Sequence, residues 1–244
     1  MIGLNLLILT LVLSSILSCI LAFYLWNRRK TLGTPSLAGV LLAIGIWTLT
    51  SGIEYVVPTL SQKLIFVTLR YVGIVQVPVW LFLFANEYTG HFGRIPNSHK
   101  LFLWVIPIAS MVFIFTNDLH NLFFSSIKFD TYKSISFVDL EYGLWWWIHT
   151  FYSYLLILVS IFLLVLTTFK STGPQRDQVY ILIASTLIPL FSNFVYIIGW
   201  RPYTFVDLTP IAFAATGILF FWGIYSKKLC NLKPIALDTL FASL

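Results

Sequence analysis

Residues 144–169 read LWWWIHTFYSYLLILVSIFLLVLTTF, a stretch without a single Asp, Glu, Lys or Arg. A hydrocarbon core about 30 Å thick needs about 20 helical residues to cross it. This run is long enough to span the core with length left for tilt. Its apolar residues are continuous and do not alternate with polar ones, which favours a helix over a strand. A helix also satisfies its own backbone polar groups where no water is present. Six further runs read the same way, at 3–26, 37–57, 64–85, 101–118, 178–199 and 207–226. The fold class expected is therefore all-α, a seven-helix transmembrane bundle.

Composition supports that reading. The 244 residues are 59% hydrophobic and 10% charged, with a mean hydropathy of +0.89. A soluble domain carries about 25% charged residues, so lipid has to be the solvent for most of this surface. The net charge of +6 would suggest nucleic acid in a soluble protein; here it points to anionic headgroups, and the partner expected is the lipid bilayer. The two cysteines, Cys19 and Cys230, fall inside the first run and after the last, so no disulfide framework is expected. No cluster has zinc-ligand spacing, and neither a metal nor another cofactor is expected. The first run lacks a basic segment before it and its positive charges follow it, so it reads as a retained helix rather than a signal peptide.

Charge gives the orientation. Arg28, Arg29, Lys30, Arg94, Lys100, Lys170, Arg176, Lys227, Lys228 and Lys233 fall on alternate connections of one side. Lys63, Lys128, Lys133 and Arg201 fall on the other, and Arg70 lies within a span. The positive-inside rule puts the N-terminus outside and the C-terminus in the cytoplasm of a multi-pass plasma-membrane protein. Residues 1–226 form one domain on this reading, and 227–244 a cytoplasmic connector toward a signalling module.

The external connection 119–143 alternates apolar and polar residues around Ile127, Phe129, Ile135 and Phe137, with Asp130-Thr131-Tyr132-Lys133 between them. That pattern predicts a short β-hairpin between the fourth and fifth helices. Trp145, Trp146 and Trp147 follow at a membrane boundary, where an aromatic belt is the ordinary reading. Pro78 and Pro189 lie inside runs and should kink them, freeing a carbonyl one turn earlier. Pro107 punctuates the fourth run, while Pro210 falls in the first turn of the last helix, where it costs little. Pro78, Pro189 and Pro210 are the candidate signal-coupling positions.

Ionisable groups inside a span cost about 2.5–3.5 kcal/mol on insertion scales and tend to face a cavity or a partner. Glu54 lies about one turn inside the outer end of the second run, and Arg70 about 9 Å inside that of the third, from the helical rise. Asp207 opens the seventh, just after Arg201. Polar groups gather at the same level. They are Trp47, Thr50 and Ser51 leading to Glu54; Asn117, Asp118 and His120; Trp145, His149 and Tyr152; and Ser185, Pro189, Asn193 and Tyr196. The candidate ligand-binding residues are therefore Glu54, Arg70, Asn117, His120, His149, Tyr152, Asn193, Tyr196 and Asp207. Plainer readings stand beside these: a structural Glu54–Arg70 ion pair that fixes register, histidines bonded as packing residues, and Asp207 as a helix cap. No His-Glu-x-x-His, phosphate loop or nucleophile elbow is present, so the chain is not expected to be an enzyme.

The order of these motifs resembles the N-terminal seven-transmembrane region of sensor histidine kinases. The likeness rests on Trp47 with Glu54, Pro78, Glu87-Tyr88-Thr89-Gly90, Pro107 and Thr116-Asn117-Asp118-Leu119-His120. It continues through the Trp-rich start of the fifth run with Tyr152-Ser153-Tyr154, Gln175-Arg176-Asp177-Gln178, Pro189 with Asn193 and Tyr196, Asp207-Leu208-Thr209-Pro210, and Leu232-Lys233-Pro234-Ile235-Ala236. The resemblance implies a sensor input domain with an outer site for a small-molecule ligand, coupled through the last helix to cytoplasmic modules. It also implies a homodimer formed through downstream cytoplasmic helices. The chain carries no phosphoacceptor histidine region and no ATP-binding segment. The rival expectation is a transporter or channel using the same cavity for passage, and a membrane enzyme would need His120 and His149 to converge.

Overall fold

A computed structural model describes residues 2–31, 33–132, 135–199 and 208–226. Arg201, Asp207, Lys133 and the connector 227–244 lie outside the described residues. Six helical stretches are long and apolar enough to cross a membrane: Leu4–Asn27, Thr34–Val56, Leu60–Thr89, Asn97–Phe115, Leu144–Thr168 and Gly173–Ile197. They contain α1 (Ile2–Asn27), α2 (Thr34–Val56), α3 (Leu60–Ile74), α4 (Val77–Thr89), α5 (Asn97–Leu103), α6 (Val105–Phe115), α8 (Leu144–Thr168) and α9 (Gly173–Ile197), with the short α7 (Asn117–His120) before the hairpin. The seventh run is helical as α10 (Thr209–Ser226).

The second helix is the central post. Of its apolar window 72% is buried, against 17–44% for the other five long stretches, and it packs on α1, α3, α4 and α10. Small residues allow these close approaches, as is usual between membrane helices. Ser15 Oγ on α1 donates to the Gly45 carbonyl of α2 at 2.9 Å. On α3, a Cβ at Gly73 would run into the Ala43 carbonyl and come within 2.8 Å of the Trp47 nitrogen. Only glycine fits there.

The third run corrects an expectation. A single kinked helix with Pro78 in its interior was predicted; the chain instead breaks at Val75–Gln76, and Pro78 occupies the first turn of α4. Proline cannot bond the carbonyl four residues back and its ring collides with it, so α3 ends at Ile74. Gln76 repairs the break. Its backbone N–H bonds the Gly73 carbonyl, and its side-chain Nε2 donates to the Val72 carbonyl at 2.6 Å. The fourth run is interrupted as well, at Trp104, three residues before Pro107. Pro189, in contrast, lies inside an unbroken α9.

The hairpin pairs β1 (Phe124–Tyr132) with β2 (Ile135–Tyr142), antiparallel, with Tyr132 opposite Ile135. Asp130-Thr131-Tyr132 therefore belong to the first strand rather than to the turn expected over 130–133. Asn117 ties down the root of the hairpin. Its Oδ1 accepts from the Phe123 and Phe124 N–H groups at 3.1 and 2.9 Å, and its Nδ2 donates to the Phe124 carbonyl at 3.1 Å.

Candidate functional site

A cavity of about 130 Å³ lies between α2, α3, α4, α8, α9 and α10, with Tyr142 at the end of the hairpin closing one side. That volume is room for several waters or one small molecule, since a single water needs about 10–15 Å³ on this measure. Apolar and aromatic side chains make most of the wall. Trp47 meets Phe213 edge to face at 4.8 Å, and Trp146 stacks on Tyr142 at 3.9 Å with rings nearly parallel.

Arg70 supplies the one charged side chain among the described lining residues. Its Nη1 is 2.8 Å from Glu54 Oε2, and both side chains are largely buried. Glu54 itself is not on the cavity wall; it stands behind Arg70 and neutralises it. Lys63, counted above with the loop lysines, is almost completely enclosed, and its ammonium donates to the Glu54 backbone carbonyl at 2.6 Å. That carbonyl belongs to the last turn of α2, where a cation also meets the negative end of the helix dipole. No sequence pattern announced this contact, because it depends on where α3 starts relative to the end of α2.

His149 lies on the wall, with Nδ1 3.2 Å from Ser110 Oγ and Nε2 3.3 Å from Ser153 Oγ. The Ser110 hydroxyl already donates to the Ile106 carbonyl and accepts from Trp145 Nε1. Its single proton is used, so His149 Nδ1–H donates to it, and Nε2 of the neutral ring accepts from Ser153. Asn193 accepts from the Tyr154 hydroxyl at 2.9 Å and donates to Thr209. The Tyr196 and Tyr142 hydroxyls are 3.0 Å apart. Burial pushes the Tyr142 phenol well above its ordinary range, with Tyr196 adding to the effect and Arg70 opposing it.

Among the candidates, Arg70, His149, Asn193 and Tyr196 line this cavity, as do Pro78 and Pro189. Pro210 is buried in the first turn of α10 without lining it. Tyr152 points away and donates to the Leu103 carbonyl at 2.7 Å. Asn117 is committed to the hairpin root. His120 bonds Thr116 and the Leu122 N–H, so the two histidines have separate partners and only one meets the cavity. Asp207 lies outside the described residues. Residues not named as ligand-binding candidates beforehand also contribute: Trp146, Thr150, Ser153 and Ile157 on α8, and Thr216 on α10. The face of α8 expected at 145, 149 and 152 is turned by about one residue, so that 146, 149, 150, 153 and 157 face inward. Thr216 Oγ1 donates to the Ser185 carbonyl at 2.8 Å, the group that Pro189 leaves without its usual helical partner. Among the described residues, no three of His, Cys, Asp and Glu converge as metal ligands would.

Comparison with curated proteins finds no match. The family described as the N-terminal 7TM region of histidine kinase matches residues 10–234, nearly the whole chain and every element that lines the cavity. The chain belongs to that family.

Proposed function

We propose that this chain is the signal-input domain of a histidine-kinase-type receptor of the plasma membrane. It crosses the membrane seven times, with its N-terminus and hairpin outside. A small molecule bound in the cavity biases the bundle between two arrangements, and α10 carries the difference into a cytoplasmic output module. The chain itself performs no catalysis, and the full receptor dimerises through helices beyond it. One observation carries the reading: Phe213 and Thr216 of α10 line the cavity together with residues of α2, α3, α8 and α9. A molecule bound there can therefore act on the exit helix directly. A ligand shifts such an equilibrium only by its differential affinity for the two states.

The test needs no knowledge of the stimulus. In the full-length receptor in membranes, Leu190→Trp fills the cavity from α9 and should change output phosphorylation several-fold in either direction. Trp at the exposed Leu187 or Ile188 should leave it unchanged. Arg70→Ala serves as a second probe from α3. Wild-type output from both cavity variants, with wild-type amounts in the membrane, would remove the proposal. Solute uptake into proteoliposomes that Leu190→Trp blocks would replace it with the transporter reading.

A further inference from the structure

We infer that the cavity selects an electrically neutral molecule with an apolar body and one hydrogen-bonding group, and that Ser185 Oγ on α9 is the group that receives it. The inference rests on the cavity being the ligand site. Its first support is charge. The one charged side chain among the described lining residues, Arg70, is matched by Glu54 at 2.8 Å. Glu54 holds Arg70 through Nη1, so a carboxylate ligand on the remaining guanidinium N–H groups would set a second buried acid against a single lining cation and leave the added charge without a counter-charge of its own. A cationic ligand finds no acid among the described lining residues. In a helix interior shielded from water, a charge without a counter-charge is strongly disfavoured.

The second support is hydrogen-bond occupancy. His149 is bonded at both ring nitrogens. Asn193 is held by Tyr154 and Thr209, Tyr142 and Tyr196 hold each other, and Trp146 Nε1 donates to the Tyr71 hydroxyl. The Thr186 and Thr216 hydroxyls are spent on backbone carbonyls. Ser185 differs. It lines the cavity, its residue is 1% exposed, and its hydroxyl has no hydrogen-bond partner among the described residues. Serine in a helix ordinarily bonds back to a carbonyl one turn earlier, as Thr186 does beside it. A buried hydroxyl left without a partner costs free energy that a ligand's polar group can recover. The rings of Trp47, Trp146 and Phe213 accommodate the apolar remainder.

A matched set of probes separates the possibilities: benzyl alcohol, benzoate and benzylammonium share a skeleton and differ in charge. Binding is measured on the full chain in nanodiscs by saturable shift of the unfolding midpoint, for wild type, Ser185→Ala and Leu190→Trp. Benzyl alcohol is expected to bind at least tenfold more tightly than either ion, roughly fivefold to tenfold more weakly to Ser185→Ala, and without saturation to Leu190→Trp. Tighter binding of benzoate or benzylammonium that Leu190→Trp abolishes would overturn the neutral-ligand inference and leave the sensor reading standing. Equal benzyl alcohol binding by wild type and Ser185→Ala would overturn the role of Ser185. Absence of any binding sensitive to Leu190→Trp would overturn the inference and remove the cavity from the sensor reading as well.

Discussion

Two prolines line one cavity from different helices, and the chain answers them differently. At Pro189 the helix continues, because α10 brings Thr216 within 2.8 Å of the carbonyl that proline cannot bond. At Pro78 the helix stops, and Gln76 satisfies the Val72 carbonyl from within the same segment. The residue type is the same and the surroundings differ: the carbonyl freed at Pro189 is met from another helix, whereas the Val72 carbonyl freed at the break before Pro78 is met by Gln76 itself. A donor from another helix keeps the helix whole and ties two elements together. A local donor lets the helix end and start again, and ties only the two adjoining segments, Gln76 bonding Val72 of α3 and accepting from Trp80 Nε1 of α4 at 3.3 Å.

The largest test of this difference is Thr216→Val, which keeps the shape and removes the donor. A loss of about 1–2 kcal/mol in unfolding free energy is expected in detergent or nanodiscs, somewhat below the cost in a water-soluble core because the unfolded chain in a membrane also finds partners. Adding Pro189→Ala should restore most of it, since residue 189 would then donate to the Ser185 carbonyl. Additive losses in the double variant would show that the two positions are not linked. Gln76→Leu should cost about 1 kcal/mol by exposing the Val72 carbonyl to an apolar wall, and Pro189→Ala should give it no relief. Smallest of the three, Pro78→Ala should change stability by about 0.5 kcal/mol, chiefly through the unfolded chain, because a first-turn proline gives up no helical bond. A loss as large as that of Thr216→Val would mean that Pro78 is as deeply engaged as Pro189.

Hydropathy located the long helices because continuous apolar runs leave few alternatives in lipid. Period-two alternation around Ile127 and Phe137 located the hairpin, because successive side chains of a strand face opposite sides. The turn was placed early because Asp130 and Thr131 look like loop residues, although the register carries the ladder to Tyr132. Within the site, Arg70, His149, Asn193 and Tyr196 were legible as expensive polar groups at one depth. The facing of α8 was not. Trp145, His149 and Tyr152 make as good a stripe as Trp146, His149 and Ser153, and the choice is made by Ser110 and the Leu103 carbonyl on the fourth run, which take Trp145 and Tyr152 for themselves. The enclosure of Lys63 is a tertiary fact of the same kind.

The bond from Thr216 to Ser185 constrains how the exit helix can travel. Advancing a helix by one residue turns it about 100° around its own axis, which would swing Thr216 off α9 and strand the Ser185 carbonyl in an oily setting. Pure spinning of α10 is thereby resisted. Pivoting about residue 216 as a fulcrum, with the distal end sweeping sideways, leaves the bond intact.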